Sequence, residues 1–131
     1  MLGWTALSLA AVKGHREVVR VLLDFGADQR VRDAYGWTAL MRAADNRRLE
    51  VVRILLDAPG ADLSIRQESG ATVLHIAAAT GDPDIVELLL ARGADVTARD
   101  GNGNTAADVA LANEHLQLAE YLRSLEARPD E

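Results

Sequence analysis

The chain has no cysteine among its 131 residues, which removes thiol nucleophiles, disulfides and cysteine-ligated zinc together. Aromatic residues make up only 4%, so any core must be built from small and aliphatic side chains in closely packed elements. No apolar run approaches the ~18 residues that read as a bilayer span, so no membrane partner is expected. Positive charge is short as well. Fourteen Lys and Arg against twenty Asp and Glu leave a net charge of −6, which argues against nucleic acid, because phosphate affinity comes from clustered cations. The opening MLGWTALSLAAVKG imitates the apolar core of a secretory signal, but no basic residue precedes it and its GWTAL returns at Gly36 to Leu40. Without cysteine, signal peptide or membrane segment, the expected location is cytoplasmic.

What is present is apolar and repetitive. Hydrophobic residues make up 49% of the chain, which excludes wholesale disorder. EVVRVLL starts at Glu17, EVVRILL at Glu50 and DIVELLL at Asp84, intervals of 33 and 34 residues. The triplet GAD begins at Gly26, Gly60 and Gly93, and a glycine series runs through Gly3, Gly36, Gly70 and Gly103. One residue is added before Gly60, where Pro59 sits. A period near 33 residues is the mark of stacked repeats, each burying its apolar faces only against its neighbours.

The residues inside the period have physical reasons. Thr5, Thr38, Thr72 and Thr105 each precede a helical pattern, where a hydroxyl caps exposed amides. Leu74, Ala77 and Ala78 share a face at i, i+3 and i+4. The alanine pairs Ala10-Ala11, Ala43-Ala44 and Ala77-Ala78 keep that helix slim enough for close approach by the next. Gly14 and Gly81 suit the left-handed residue that ends such a helix, and a second helix follows.

On these phrases, in this order and register, the chain resembles the ankyrin repeat family over essentially its whole length. The stretch Gly70 to Asp95, GATVLHIAAATGDPDIVELLLARGAD, is close to the family pattern throughout. The resemblance implies an all-α solenoid of about four helix-turn-helix repeats with short hairpin loops. It forms a single domain over 1–131, with repeats near 1–32, 33–66, 67–99 and 100–126 and a polar tail over 127–131. It also implies that His75, at the family's helix-opening histidine, is a hydrogen-bonding framework residue.

Departures from the pattern carry their own expectations. Only two residues precede Gly3, so the first repeat lacks its hairpin arm and exposes the face around Leu7 and Leu9, as in a segment of a longer array. That open face could also self-associate in an otherwise monomeric chain. Arg47 and Glu114 replace the turn glycine, and the strain of a left-handed side chain, about 1–2 kcal/mol, suggests another turn form there. Ala107 and Leu111 exchange the usual Leu and Ala, so volume lost at one is expected to return at the other. Arg42 stands in a column otherwise filled by Leu9, Ile76 and Val109. It reads either as a snorkelling side chain or as an anchor for a partner carboxylate.

No catalytic constellation emerges. His15, His75 and His115 lie at no zinc-ligand spacing, and Asp82 with Asp84 read as a helix start. DGNGNT, from Asp100 to Thr105, has no lysine and follows no buried strand, so it reads as a hairpin tip and not a phosphate loop. The expected protein is no enzyme and takes no cofactor and no metal.

The family's partners lie along a concave side made of hairpin tips and first helices. Carried over position by position, that side places Trp4, Trp37 and Asn104 in the hairpin column, with Tyr35 and Glu68 beside it. Arg32, Arg66 and Arg99 stand just before the hairpins, and Asp45, Asn46 and Thr80 at first-helix ends. The two tryptophans and Tyr35 form an expected aromatic cluster flanked by arginines, residue types common in binding hot spots. The competing reading makes the tryptophans covers for the next hairpin and pairs the arginines with Asp33 and Asp100. The expected function is a non-catalytic module binding a protein or peptide. The alternative is a structural or regulatory segment docking on its own neighbouring domain. An engineered repeat scaffold fits less well, because Pro59, Arg47 and Leu111 fall off the pattern.

Overall fold

The computed structural model describes residues 3–126. Among them are eight helices and no strand: α1 (Ala6–Lys13), α2 (Arg16–Asp24), α3 (Ala39–Asp45), α4 (Leu49–Asp57), α5 (Val73–Thr80), α6 (Pro83–Ala91), α7 (Ala106–Ala112) and α8 (Leu116–Glu126). They pack as antiparallel pairs, the first helices α1, α3, α5 and α7 stacking in order and α2, α4 and α6 stacking beside them. The polar tail expected over 127–131 lies outside the described residues.

Each first helix begins where the sequence places a threonine. Thr5 Oγ accepts from the Ser8 amide at 3.1 Å, Thr38 from Met41 at 3.3 Å and Thr105 from Asp108 at 3.3 Å. In the third repeat the His75 ring completes the box, its Nδ1 accepting from the Thr72 amide at 3.1 Å. Its Nε2 lies 2.9 Å from the Asn104 carbonyl of the next hairpin, so this histidine fastens two repeats together. The alanine pairs are all buried, which is what lets first helices pack side by side.

The turns at Arg47 and Glu114 are left-handed after all, with φ of 58° and 65° beside 73° at Gly14 and 76° at Gly81. The same two bonds hold the turns at Gly14, Arg47 and Glu114. The Arg47 amide donates to the Ala44 carbonyl and the Arg48 amide to Ala43, as Gly14 and His15 do to Ala11 and Ala10. Two satisfied helix-end carbonyls outweigh the side-chain strain. The Arg47 guanidinium adds a bond to the Thr80 carbonyl in the next repeat.

Pro59 changes how α4 ends. Ala58 is extended, and the carbonyls of Leu55, which also takes the Ala58 amide, and of Pro59 accept from the buried Gln29 amide at 2.9 and 3.0 Å. A side chain from the preceding repeat therefore caps the helix that the insertion disturbs.

Two expectations about the ends fail. Leu111 does not refill the space left by Ala107, because it is 49% exposed while Ala107 is fully buried. The equivalent alanines are buried by a following repeat, and none follows Leu111 among the described residues. Nor is the first repeat open at Leu7, which is 2% exposed, and Leu9 is partly covered. The uncovered apolar side chains are instead Val18 and Val21 on α2 and Phe25 just after it.

Candidate functional site

The hairpins ahead of α3, α5 and α7 share one construction. Asp33, Gln67 and Asp100 each open a hairpin, and a side-chain oxygen accepts amides two and four residues on. Asp33 Oδ1 takes Tyr35 at 2.9 Å and Trp37 at 3.1 Å, and Asp100 Oδ1 takes Asn102 at 2.9 Å and Asn104 at 3.0 Å. Gln67 does the same for Ser69 and Ala71. Neighbouring tips are joined by backbone bonds, Glu68 N to Tyr35 O at 3.0 Å and Gly101 N to Ser69 O at 2.9 Å.

The three arginines before the hairpins bond to carbonyls and to neither Asp33 nor Asp100. Arg32 Nε donates to Gly36 O at 3.2 Å and its Nη2 to Arg66 O at 2.7 Å. Arg66 Nη1 donates to Gly70 O at 2.7 Å and to Arg99 O at 2.5 Å, and Arg99 Nη1 to Gly103 O at 2.9 Å. Each guanidinium closes its own hairpin, and the first two also reach the next. They remain exposed at the surface, with part of their donor capacity unused.

Arg42 fits neither reading made from sequence. Its Nε and Nη2 lie 3.1 and 2.5 Å from Asp33 Oδ2, so the carboxylate it anchors belongs to its own hairpin. The guanidinium carbon is 4.5 Å from the Trp4 ring centroid and 4.3 Å from that of Trp37, placing the cation between two indoles. Side-chain exposure is 16% for Arg42 and 1% for Asp33, so the pair is largely withdrawn from solvent. Burial opposes ionisation of Asp33, yet the Arg42 guanidinium and the Trp37 and Tyr35 amides outweigh it and hold the carboxyl below its ordinary value. The signal in the sequence was a correlation between columns. Tryptophan occupies the hairpin column in the repeat of Arg42 and in the one before it, and Ala71 and Asn104 occupy it in the two later repeats, where the Arg42 column holds Ile76 and Val109.

The expected three-member aromatic cluster is therefore two tryptophans joined through a cation. Tyr35 stands apart, 53% exposed, on a shallow depression of about 440 Å³ lined by Arg32, Asp33, Ala34, Gly36 and Glu68 as well. The side chains of Tyr35, Asp45 and Glu68 make no hydrogen bond or ion pair among the described residues. Other residues expected at the site serve the framework in part. Asn46 Nδ2 donates to the Arg42 carbonyl at 2.8 Å and Thr80 Oγ to Ala77 at 2.8 Å. The Asn104 backbone is held by Asp100 and His75.

A larger depression, about 560 Å³, lies between α6 and α8 among Pro83, Glu87, His115, Leu116 and Tyr121. His115 Nε2 is 3.1 Å from the Ala79 carbonyl there, the second inter-repeat contact made by a histidine. No helix among the described residues is long and apolar enough to cross a membrane.

Family models match most of this length. Residues 2–67 match one described as ankyrin repeats in three copies, and residues 61–110 one described as ankyrin repeats in many copies.

Proposed function

Because the chain belongs to the ankyrin repeat family, whose members generally act as protein–protein interaction modules, we propose that it binds a protein or peptide through the face made by its hairpin tips and first helices. The observation that carries this reading is the contrast between committed and free groups on that face. The arginine ladder, the threonine caps and the Asp33–Arg42 pair spend their bonds inside the stack. Tyr35, Asp45 and Glu68 spend none, and they stand where the repeats differ most in sequence.

In this reading Tyr35 supplies the aromatic contact, with its hydroxyl available for a hydrogen bond. Glu68 and Asp45 supply charge, and the outward edges of Trp4, Trp37 and Asn104 form the surrounding platform. Asn46 and Thr80 border it at the first-helix ends. Arg32, Arg66 and Arg99 hold the tips in place and offer their remaining N–H groups. The role is non-catalytic.

Capture with the purified chain as bait, followed by mass spectrometry, identifies a partner, and titration of that partner against variants tests the face. Tyr35→Ala is expected to weaken binding roughly tenfold or more while leaving the melt unchanged, as for an exposed hot-spot aromatic. A partner whose affinity ignores Tyr35→Ala, Glu68→Gln and Asp45→Asn together binds elsewhere, and the proposal fails.

A further inference from the structure

The row of second helices is not packed evenly. α2 lies on α4 and α4 on α6, but the approach of α8 to α6 is the loosest of the row, and α8 packs chiefly on α7. The depression of about 560 Å³ opens in that gap, within the range of about 300–1,000 Å³ common for ligand clefts. Both of its walls belong to described repeats. Its apolar surface comes from Pro83 on one side and from Leu116 and Tyr121 on the other, and no residue assigned to the hairpin face lines it.

The charged groups in the lining are both carboxylates. Glu87 and Glu114 are exposed there, and their side chains make no hydrogen bond or ion pair among the described residues. Between them stands His115, whose ring lies against Gly81, where a Cβ would come within 2.5 Å of it. Its Nε2 carries the proton, because the Ala79 carbonyl only accepts. Nδ1 of the neutral ring is therefore a further acceptor, neither buried nor bonded among the described residues.

The cations of this part of the chain are engaged elsewhere. Over 81–126 they are Arg92, Arg99 and Arg123. Arg92 pairs with Asp57 at 2.6 Å, Arg123 with Asp108 at 2.8 Å, and Arg99 donates to the Gly103 carbonyl at 2.9 Å. In the two earlier repeats the position of Glu87 is held by Arg20 and Arg53. The groove between α2 and α4 accordingly has both signs of charge, including the Arg53–Glu50 pair at 3.8 Å. Exchange of arginine for glutamate leaves the groove between α6 and α8 with one sign only.

We propose that this groove docks an arginine of a protein partner. The guanidinium lies among Glu87, Glu114 and His115 Nδ1, and the stem and an apolar neighbour pack on Pro83, Leu116 and Tyr121. Arginine suits the groove better than lysine, because its planar fork of donors serves acceptors spread around one depression and stacks on an aromatic ring. The surface is separate from the hairpin face, and the inference does not depend on what that face binds.

The probe is a capped Leu-Arg-Leu peptide flanked by glycines, titrated into the isotope-labelled chain and followed by amide NMR. Saturable shifts are expected over residues 81–88 and 114–121, with a Kd on the order of 0.1–1 mM for so short a ligand. Citrulline in place of the arginine keeps the shape without the charge and should weaken binding about fivefold or more, and lysine should bind more weakly than arginine. Glu87→Gln and Glu114→Gln should each weaken it about two- to fivefold, the range of an exposed ion pair. Glu87→Arg, which places there the residue type of Arg20 and Arg53, should abolish binding with an unchanged melt. Glu17→Gln makes the same charge change on α2 and should leave the affinity as it is. Absence of saturable shifts, shifts centred on the hairpin tips, or equal affinity for the citrulline or lysine peptide overturns the proposal. So does an equal effect of Glu17→Gln and Glu87→Gln, which marks attraction to the net charge of −6 and not to the groove.

Discussion

Arg42→Met removes the charge from between the two indoles while keeping an unbranched apolar side chain of similar reach. Two losses follow from the geometry. The Asp33 carboxylate, with a side chain 1% exposed, loses the guanidinium that compensates its burial. Removing one partner of a buried pair costs about 3–5 kcal/mol in general. Here Asp33 keeps the Tyr35 and Trp37 amides at 2.9 and 3.1 Å, and Arg42 is 16% exposed. The ion-pair loss is therefore taken as about 2 kcal/mol, below that general range. Loss of two cation–π contacts adds about 0.5–1 kcal/mol each. The expected destabilisation is about 3 kcal/mol, read as a shift of the urea midpoint at unchanged slope. Asp33→Asn in the same protein should recover part of it, since an amide oxygen still accepts from both backbone amides without a stranded charge. A double-mutant cycle should return a coupling of at least about 1 kcal/mol between positions 33 and 42. If Arg42→Met melts within about 0.5 kcal/mol of the parent, Arg42 merely snorkels and the sandwich carries no energy.

Asp33 also predicts an acid limb: its folded-state pKa is depressed, so its contribution is fully present above the unfolded value near 3.9 and is lost as pH falls through and below it. Urea melts between pH 7 and pH 3 should show a steeper acid loss in the parent than in Asp33→Asn, and equal slopes would remove Asp33 from the account. Glu114→Gly relieves a left-handed side chain at φ 65° that makes no bond of its own among the described residues, and should raise stability by about 0.5–1 kcal/mol, with thermal melting as the readout. Hydrogen exchange should be fastest through α1 and α2 and slowest in α4, α5 and α6, which belong to the middle repeats; uniform protection from α1 onward would show that the exposed α2 surface has no bearing on local stability.

Much of the framework is legible in the chain itself because each repeat satisfies its local demands with nearby residues. A threonine three residues before the amide it caps, an alanine pair one helical face wide and a glycine where a helix must turn left all act within a few residues. Their recurrence at 33 or 34 residues announces the stack before any coordinate is known. The arginine row was visible too, but not what it binds. Its partners are the carbonyls of Gly36, Gly70, Gly103, Arg66 and Arg99, and a backbone carbonyl leaves no mark in a sequence.

Stacking decided the rest. Trp4, Asp33, Trp37 and Arg42 come from two repeats and meet only when the hairpin of one lies against the first helix of the other. Arg42 alone gives no reason to choose a partner's carboxylate over its own. The geometry chooses Asp33, because that carboxylate is already fixed by two amides and needs a cation to remain ionised out of water. The fate of Leu111 was likewise not local. The helix begins as in other repeats, and whether its sixth residue is core or surface depends on whether another repeat packs there. Periodicity specifies each repeat, but the environment of a side chain between repeats belongs to the pair, and only the packed stack supplies the second member.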